Sequence, residues 1–336
     1  MKKKKNVINM LILIVITIVV LYFSLKDNFN EIMHEILTLN PLWLLLALLL
    51  AFGYWFFKAI EFRNATRKFQ PDFTLKSAIR MTLSTSFFNA ITPFATGGQP
   101  FQVYMLKKAG LKLTDSTNVI MENFIVYQIA LVLLGMVAII SNFFGHFYKE
   151  AVLLKNLVTL GFIINTAVVV GLFLIAFNQR FNKAMSRGVI HLLSKLHFVK
   201  DEQQKKKEFE EYINHFHKGA KLLLADKKQF LKAVGLNLIA LTSQYLIPVA
   251  LLYSMGDFTS FNGYLSVITS AYVMLIGSFV PIPGGTGGLE FGFIAFFGNF
   301  ITGSKLNAIM LLWRGLTYYF GLIIGGIAFN VKEKKR

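Results

Sequence analysis

The chain has 336 residues, of which 55% are hydrophobic and only 15% charged, and its mean hydropathy is +0.56. Soluble domains carry about 25% charged residues, so this composition is typical of a polytopic membrane protein. Cys is absent, which excludes disulfides and thiol catalysis, and the net charge of +18 sits mainly between apolar spans, where topology explains it better than a nucleic-acid partner does.

The apolar segments predict an all-α polytopic integral membrane protein, with six to eight transmembrane helices in one membrane domain over residues 1–336. The first segment is longer than the ~7–15 apolar residues of a signal peptide, and no small-residue cleavage site follows it, so we expect it to be retained. The predicted spans are residues 7–25, 41–57, 118–140, 151–177, 233–255, 264–280, 286–302 and 307–330.

Residues 81–106 form an apolar segment that is interrupted by Pro and Gly. The basic residues from Lys58 to Arg80 before it predict a cytoplasmic segment, and Lys107, Lys108 and Lys112 follow it. A full crossing here would place the basic loop 178–232, with its 13 Lys and Arg residues, outside the cell. We therefore predict a re-entrant segment that dips in from the cytoplasm and returns.

The interval 264–302 contains a second interruption, Pro281–Glu290 (PIPGGTGGLE). Its two apolar halves form either two full spans or a second re-entrant pair. Positive charge does not choose between them, because both place the closing residues 332–336 in the cytoplasm. In either case we expect both termini to be cytoplasmic and the protein to lie in a bacterial inner membrane.

The two interruptions resemble each other. Pro/Gly-broken segments at matching positions in two halves of a chain indicate a transporter binding site, since half-helix amino ends offer N–H groups to anions. The alternative is a pair of kinked or tightly packed helices. The predicted substrate-binding residues are Thr92, Pro93, Gly97, Gly98, Gln99, Glu122, Pro283, Gly284, Gly285, Gly287, Gly288, Glu290 and Arg314.

Arg314 lies inside the last span, where an unpaired Arg costs at least ~2.5–3.5 kcal/mol, so it needs a partner. Glu290 is the nearest acid in sequence. The pair is either a structural ion pair or a phosphate receptor that Glu290 neutralises when empty. Gln99 and Gln102 are expected to line the first dip together, and Glu122 is either a solvated flank or a substrate contact.

Catalytic signatures are missing from the sequence. There is no Ser/His/Asp arrangement, Walker loop or Rossmann glycine pattern in a suitable context, and loop 178–232 is too short for an ordinary catalytic domain. We therefore expect no catalytic residue, no metal site and no cofactor.

The interruption at 92–100, followed by Tyr104-Met105-Leu106, and the run Pro281–Glu290 together resemble one family. It is the flippase-like membrane region of the bacterial lysylphosphatidylglycerol synthases, the multiple peptide resistance factors. The likeness covers nearly the whole chain.

That resemblance implies a membrane protein that moves aminoacylated phosphatidylglycerol between leaflets and so contributes to resistance against cationic peptides. In the full-length relatives a cytoplasmic domain makes this lipid. We expect that domain to be absent here, because the chain stops at Arg336 after its last span. Two alternatives stay open: a membrane subunit that partners a separately encoded synthase or transferase, and a small-solute secondary transporter.

Overall fold

The computed structural model describes residues 29–148, 152–177, 226–278 and 280–331, and every regular element in these ranges is helical. We number the α-helices in chain order. They are α1 (Phe29–Leu37), α2 (Pro41–Thr66), α3 (Leu75–Ala90), α4 (Gly98–Lys108), α5 (Leu113–Gly145), α6 (Val152–Phe177), α7 (Lys227–Tyr245), α8 (Ile247–Ser254), α9 (Gly263–Gly277), α10 (Gly288–Phe297), α11 (Gly303–Arg314) and α12 (Phe320–Asn330).

Five helical stretches within the described residues are long and apolar enough to cross a membrane, which confirms the multi-pass class. They are Pro41–Thr66, Leu113–Gly145, Leu153–Leu174, Lys227–Ser254 and Gly303–Asn330. The fourth joins α7 and α8 across a break at Pro248, whose ring cannot donate a backbone hydrogen bond. The predicted span 7–25 and most of the predicted basic loop, residues 178–225, lie outside the described residues.

Helix α2 has one exposed apolar face. Leu42, Leu45, Leu49, Phe52 and Phe56 are exposed along one side, at the spacing of a helix face directed at lipid. The helix then continues beyond the predicted limit at residue 57 as far as Thr66. The charged residues 58–63, predicted to be a cytoplasmic connection, are therefore helical, and α7 likewise begins at Lys227 rather than at residue 233.

The first interruption is a helical hairpin, formed by α3 and α4 with a 3₁₀ turn, Pro93–Ala95, between them. The two helices contact each other through Phe88 and Phe101, whose rings stack at 4.2 Å between centroids. At 16 and 11 residues, neither helix reaches the ~20 residues of a spanning helix.

The second interruption is built in the same way. Helices α9 and α10, of 15 and 10 residues, flank a 3₁₀ turn at Pro283–Gly285 and fold back on each other, with Leu289 against Gly277. Most of their side chains are buried among the other helices. Such burial is what short, non-spanning helices require at membrane depth, because lipid cannot satisfy their open ends.

The two hairpin turns contact each other. Beside them, α11 passes into a π-helical turn, Gly315–Tyr319, before α12 begins. Tyr318 of this turn donates a hydrogen bond to the carbonyl of Ala90, at 3.1 Å, at the end of α3. The fold thus brings the two interruptions and the segment after Arg314 to one place.

Candidate functional site: a polar cavity between two helical hairpins

A cavity of about 500 Å³ lies where the hairpins meet. Its wall combines aromatic side chains with an unusual number of polar groups for a membrane interior. The polar and charged lining residues are Tyr54, Lys58, Thr82, Thr85, Ser86, Asn89, Gln99, Gln102, Asn123, Tyr127, Gln128, Asn165, Gln244, Ser278, Arg314, Thr317 and Tyr318. A volume of this size accommodates a small polar ligand or a lipid head group.

The cavity reaches the protein surface at the first hairpin turn. Phe94, Ala95 and Gln99 line it and are themselves exposed. Gln102, one turn further along α4, is buried and also lines it, so Gln99 and Gln102 border the same cavity. A ligand would therefore enter beside the turn that the sequence marked as interrupted.

At another part of the wall, Arg314 forms the predicted ion pair with Glu290. Its Nε lies 2.7 Å from Glu290 Oε1, and the two residues are only 4% and 7% exposed. Nη2 also donates a long hydrogen bond of 3.4 Å to Thr286 Oγ1, and the guanidinium lies 4.5 Å from the ring centre of Tyr318. Arg314 lines the cavity and Glu290 does not, so the acid lies behind the base.

Aromatic packing between α10 and α11 keeps Glu290 and Arg314 next to each other. Phe293, one turn after Glu290 on α10, stacks on Trp313 of α11 at 4.9 Å between ring centroids. Glu290 is also fixed at the start of its own helix, where its Oε2 accepts a hydrogen bond of 2.7 Å from the Gly287 N–H. The same carboxylate therefore caps α10 and neutralises Arg314.

The amino ends of the hairpin helices are less available than the sequence suggested. The N–H of Gly97 donates to Thr92 Oγ1 at 2.8 Å, and that of Gly98 donates to Asn89 Oδ1 at 2.9 Å. Together with the Gly287–Glu290 bond, these contacts occupy donors that the half-helix interpretation would offer to an anion. In this structure the turns are shaped by Thr92, Gly97, Gly98 and Gly287, whereas Arg314 lines the cavity.

The remaining predicted residues divide into two groups. The cavity is lined by Gly284, Gly285 and Gln99, but not by Pro283 of the second turn or by Gly288 at the start of α10. A Cβ on Gly284 would lie 2.1 Å from the Tyr318 ring, so a glycine there allows the turn to pack on the π-helical segment. Glu122 does not line the cavity, and both its oxygens accept from Lys68 Nζ, at 2.7 and 2.8 Å.

A second charged cluster was missed from the sequence, because Lys58 was assigned to a cytoplasmic segment. Lys58 lines the cavity and donates to Asn237 at 2.8 Å and to Asn123 at 3.3 Å. Glu61, one turn later on α2, is 1% exposed and lies 3.8 Å from Lys58 Nζ. The i, i+3 spacing of a base and an acid at the end of an apolar run is a signal that could have placed both on one helix face.

Among the described residues, no three His, Cys, Asp or Glu side chains come together as metal ligands. The cavity wall combines Arg314 of the buried ion pair, the Lys58 ammonium, amide side chains and hydroxyl groups. It can hold an anionic or zwitterionic ligand by charge and hydrogen bonds.

Comparison with known proteins agrees with this architecture. Residues 10–325 match the family model described as lysylphosphatidylglycerol synthase TM region. The chain is also 23% identical, over 325 residues, to a UPF0104 membrane protein of Archaeoglobus fulgidus, an alignment that covers 94% of this chain and 95% of the archaeal protein. By its matched length and its membrane architecture, the chain belongs to the family of lysylphosphatidylglycerol synthase transmembrane regions.

Proposed function

We propose that this protein moves a phospholipid, or a lipid-linked intermediate, between membrane leaflets by passing its head group through the cavity between the hairpins. The observation that carries the proposal is the buried Arg314–Glu290 pair on the wall of a polar cavity inside an apolar bundle. Ionisable residues at such positions generally mark a substrate path, because an unused charge there only destabilises the protein.

In the proposed mechanism Arg314 is the phosphate ligand. Guanidinium groups bind phosphate through several parallel hydrogen bonds, and here the Thr286 contact is long and weak enough to be exchanged. Glu290 neutralises the cation while the site is empty and lies outside the cavity wall, so a phosphate can approach from the opposite side. A head group then replaces part of the hydration it loses with amide and hydroxyl contacts.

The size of the cavity is consistent with binding of the head group alone. A volume of about 500 Å³ holds a head group but not two acyl chains. The tails would remain in lipid, next to the exposed cavity entrance at Phe94 and Ala95. Lysylphosphatidylglycerol is the candidate substrate that the family name suggests, and its delivery to the outer leaflet would lower the negative surface charge and the sensitivity of a cell to cationic peptides.

The test is leaflet exchange in liposomes reconstituted with the purified protein, using a panel of head-group-labelled lipids that includes lysylphosphatidylglycerol. We expect protein-dependent exchange for at least one lipid, and at least a tenfold loss in Arg314→Ala. Lys305→Ala, on the same helix α11 but away from the cavity lining, is the matched control and should retain exchange.

Full exchange in Arg314→Ala would refute the proposed role of this residue. Exchange of no lipid at all would refute the transport function and favour one of the two alternatives. Co-purification with a soluble synthase or transferase would then indicate a membrane subunit, and gradient-dependent uptake of a small solute would indicate a secondary transporter.

A further inference from the structure

The cluster around Glu61 contains a buried carboxylate oxygen that lacks a partner. Oε2 of Glu61 accepts a hydrogen bond from Asn123 Nδ2, whereas Oε1 has no hydrogen-bond partner although it is buried. A carboxylate oxygen that is buried without a donor is costly when the group is charged, and this cost disappears once the oxygen carries a proton. The geometry is therefore that of a proton-binding group.

The charged neighbours of Glu61 come from several elements. Lys58 lies on the same helix at 3.8 Å, Lys68 follows that helix, and α5 contributes Glu122. Arg80 of the neighbouring helix α3 is directed at the carbonyl of Ala328 on α12, at 3.0 Å. On α7, which contacts both α2 and α5, the lysines at 227, 228 and 232 are exposed.

These charges form two unequal pairs. Lys68 and Glu122 contact each other through both carboxylate oxygens at 2.7 and 2.8 Å, so that pair is satisfied within itself. Lys58 and Glu61 are separated by 3.8 Å, and Lys58 instead donates to Asn237 and Asn123. Only Lys58 of the four lines the cavity. A change in the charge of Glu61 is therefore felt at the cavity through Lys58.

We infer that Glu61 is a proton site that couples movement of an anionic phosphate head group to movement of a proton. With Glu61 ionised, the charges of Lys58, Glu61, Lys68 and Glu122 sum to zero, and Glu61 neutralises Lys58. With Glu61 protonated, Lys58 carries the net positive charge of the cluster and binds one phosphate from the cavity. Proton and phosphate thus bind together and leave together, as in an electroneutral symporter.

This inference rests on the proposed function, and it makes a quantitative prediction for a lipid with one negative charge. If one proton moves with each phosphatidylglycerol, a gradient of one pH unit should drive a leaflet ratio of up to about tenfold. The experiment uses liposomes of phosphatidylcholine with trace labelled phosphatidylglycerol, clamped at zero membrane potential. Wild-type protein should build up the asymmetry, and a protonophore should abolish it.

Glu61→Gln keeps the shape and the Asn123 contact but cannot ionise. It should exchange phosphatidylglycerol without building up asymmetry, and its exchange rate should lack the pH dependence of the wild type. The matched control is Glu122→Gln, whose acid belongs to the closed pair, and it should still accumulate the lipid. Gradient-driven accumulation in Glu61→Gln, or none in the wild type despite rapid exchange, would overturn the inference.

A second readout does not depend on transport. Infrared difference spectra of the protein in detergent should show a carboxylic-acid carbonyl band that titrates in the wild type and is missing in Glu61→Gln. Adding phosphatidylglycerol should move its midpoint to higher pH, because a phosphate at Lys58 favours the protonated acid. Absence of lipid exchange in the wild type would refute the proposed function. Independently of that result, a carbonyl band that is absent, or whose midpoint does not respond to phosphatidylglycerol, would refute the coupling.

Discussion

The two hairpin turns share the backbone conformation of the two residues after Pro, but they differ at the following Thr and Gly and in their chemistry. Pro93-Phe94-Ala95-Thr96-Gly97-Gly98 and Pro283-Gly284-Gly285-Thr286-Gly287-Gly288 share Pro, Thr and two Gly at matched positions. In each turn the Thr hydroxyl donates to the Pro carbonyl at 2.9 Å, and the two residues after Pro have φ between 53° and 67°. The first half of the turn is thus common to both hairpins, whereas the second half differs, with φ of -75° at Gly97 and 88° at Gly287.

The surroundings of the two turns differ. Thr96 is exposed, whereas Thr286 is 1% exposed and accepts from Arg314. Position 290 is Glu and position 100 in the first turn is Pro, so the ion pair exists on one side only. Both hairpins thus break an apolar segment with the same Pro-Thr-Gly-Gly pattern, and the buried ion pair is found at the second turn.

The largest expected effect comes from removing one partner of the ion pair at the second turn. Arg314→Ala leaves Glu290 buried without its cation, and removal of one partner of a buried pair costs about 3–5 kcal/mol. Adding Glu290→Gln should restore much of that loss, since the uncompensated charge is removed. Apparent Tm in detergent for both single variants and the double variant measures it, and additive losses would show that the pair is not coupled.

A smaller effect tests the turn itself. Gly284→Ala places a Cβ 2.1 Å from the Tyr318 ring at a positive φ of 67°, and should destabilise the protein by about 2–4 kcal/mol from strain and overpacking together. For comparison, Ala95→Gly changes the first turn at the position that corresponds to Gly285, where φ is 53°. It should be neutral or stabilising by less than about 1 kcal/mol. Equal Tm losses in the two variants would contradict the expectation that the buried second turn is the more sensitive of the two.

The first turn has its own cap, which can be removed without touching a charge. Thr92→Val deletes the acceptor of the Gly97 N–H, at 2.8 Å, and should cost about 1 kcal/mol because the turn is partly exposed and water can replace the bond. Hydrogen exchange at Gly97 should speed up in this variant, with little change at Gly287, whose cap is Glu290. Unchanged protection at Gly97 would show that the cap is dispensable.

The smallest effect concerns the loop that leads into the second hairpin. Hydrogen bonds from the Ser260 N–H and hydroxyl hold the pKa of Asp257 below its ordinary value. A depressed folded-state pKa contributes stability above the unfolded value of about 3.9, and this stability is lost as pH falls through the folded pKa. Solvent screening limits it to less than about 1 kcal/mol. Asp257→Asn should lower Tm slightly at pH 7 and remove that pH dependence, and an unchanged Tm profile would contradict it.

Much of the architecture followed from the sequence, because in lipid the chain must satisfy its own backbone. That requirement makes long apolar runs helical and confines interrupted runs to protein-lined interiors. The Pro and Gly residues at 93–98 and 283–288 therefore predicted two breaks, and an Arg within an apolar span predicted a partner. Glu290 could be named as that partner from its position alone.

Other features depended on tertiary contacts. Three of these features join residues that are far apart in the chain. They are the contact between the two turns, the pair formed by Glu122 and Lys68, and the exposure of Lys58 to the cavity. Helix periodicity fixes which side of a helix a residue occupies, but it does not fix which helix lies opposite. Sequence by itself therefore determined the helices, their breaks and the need for a counter-charge, and packing between helices decided which charges share the cavity.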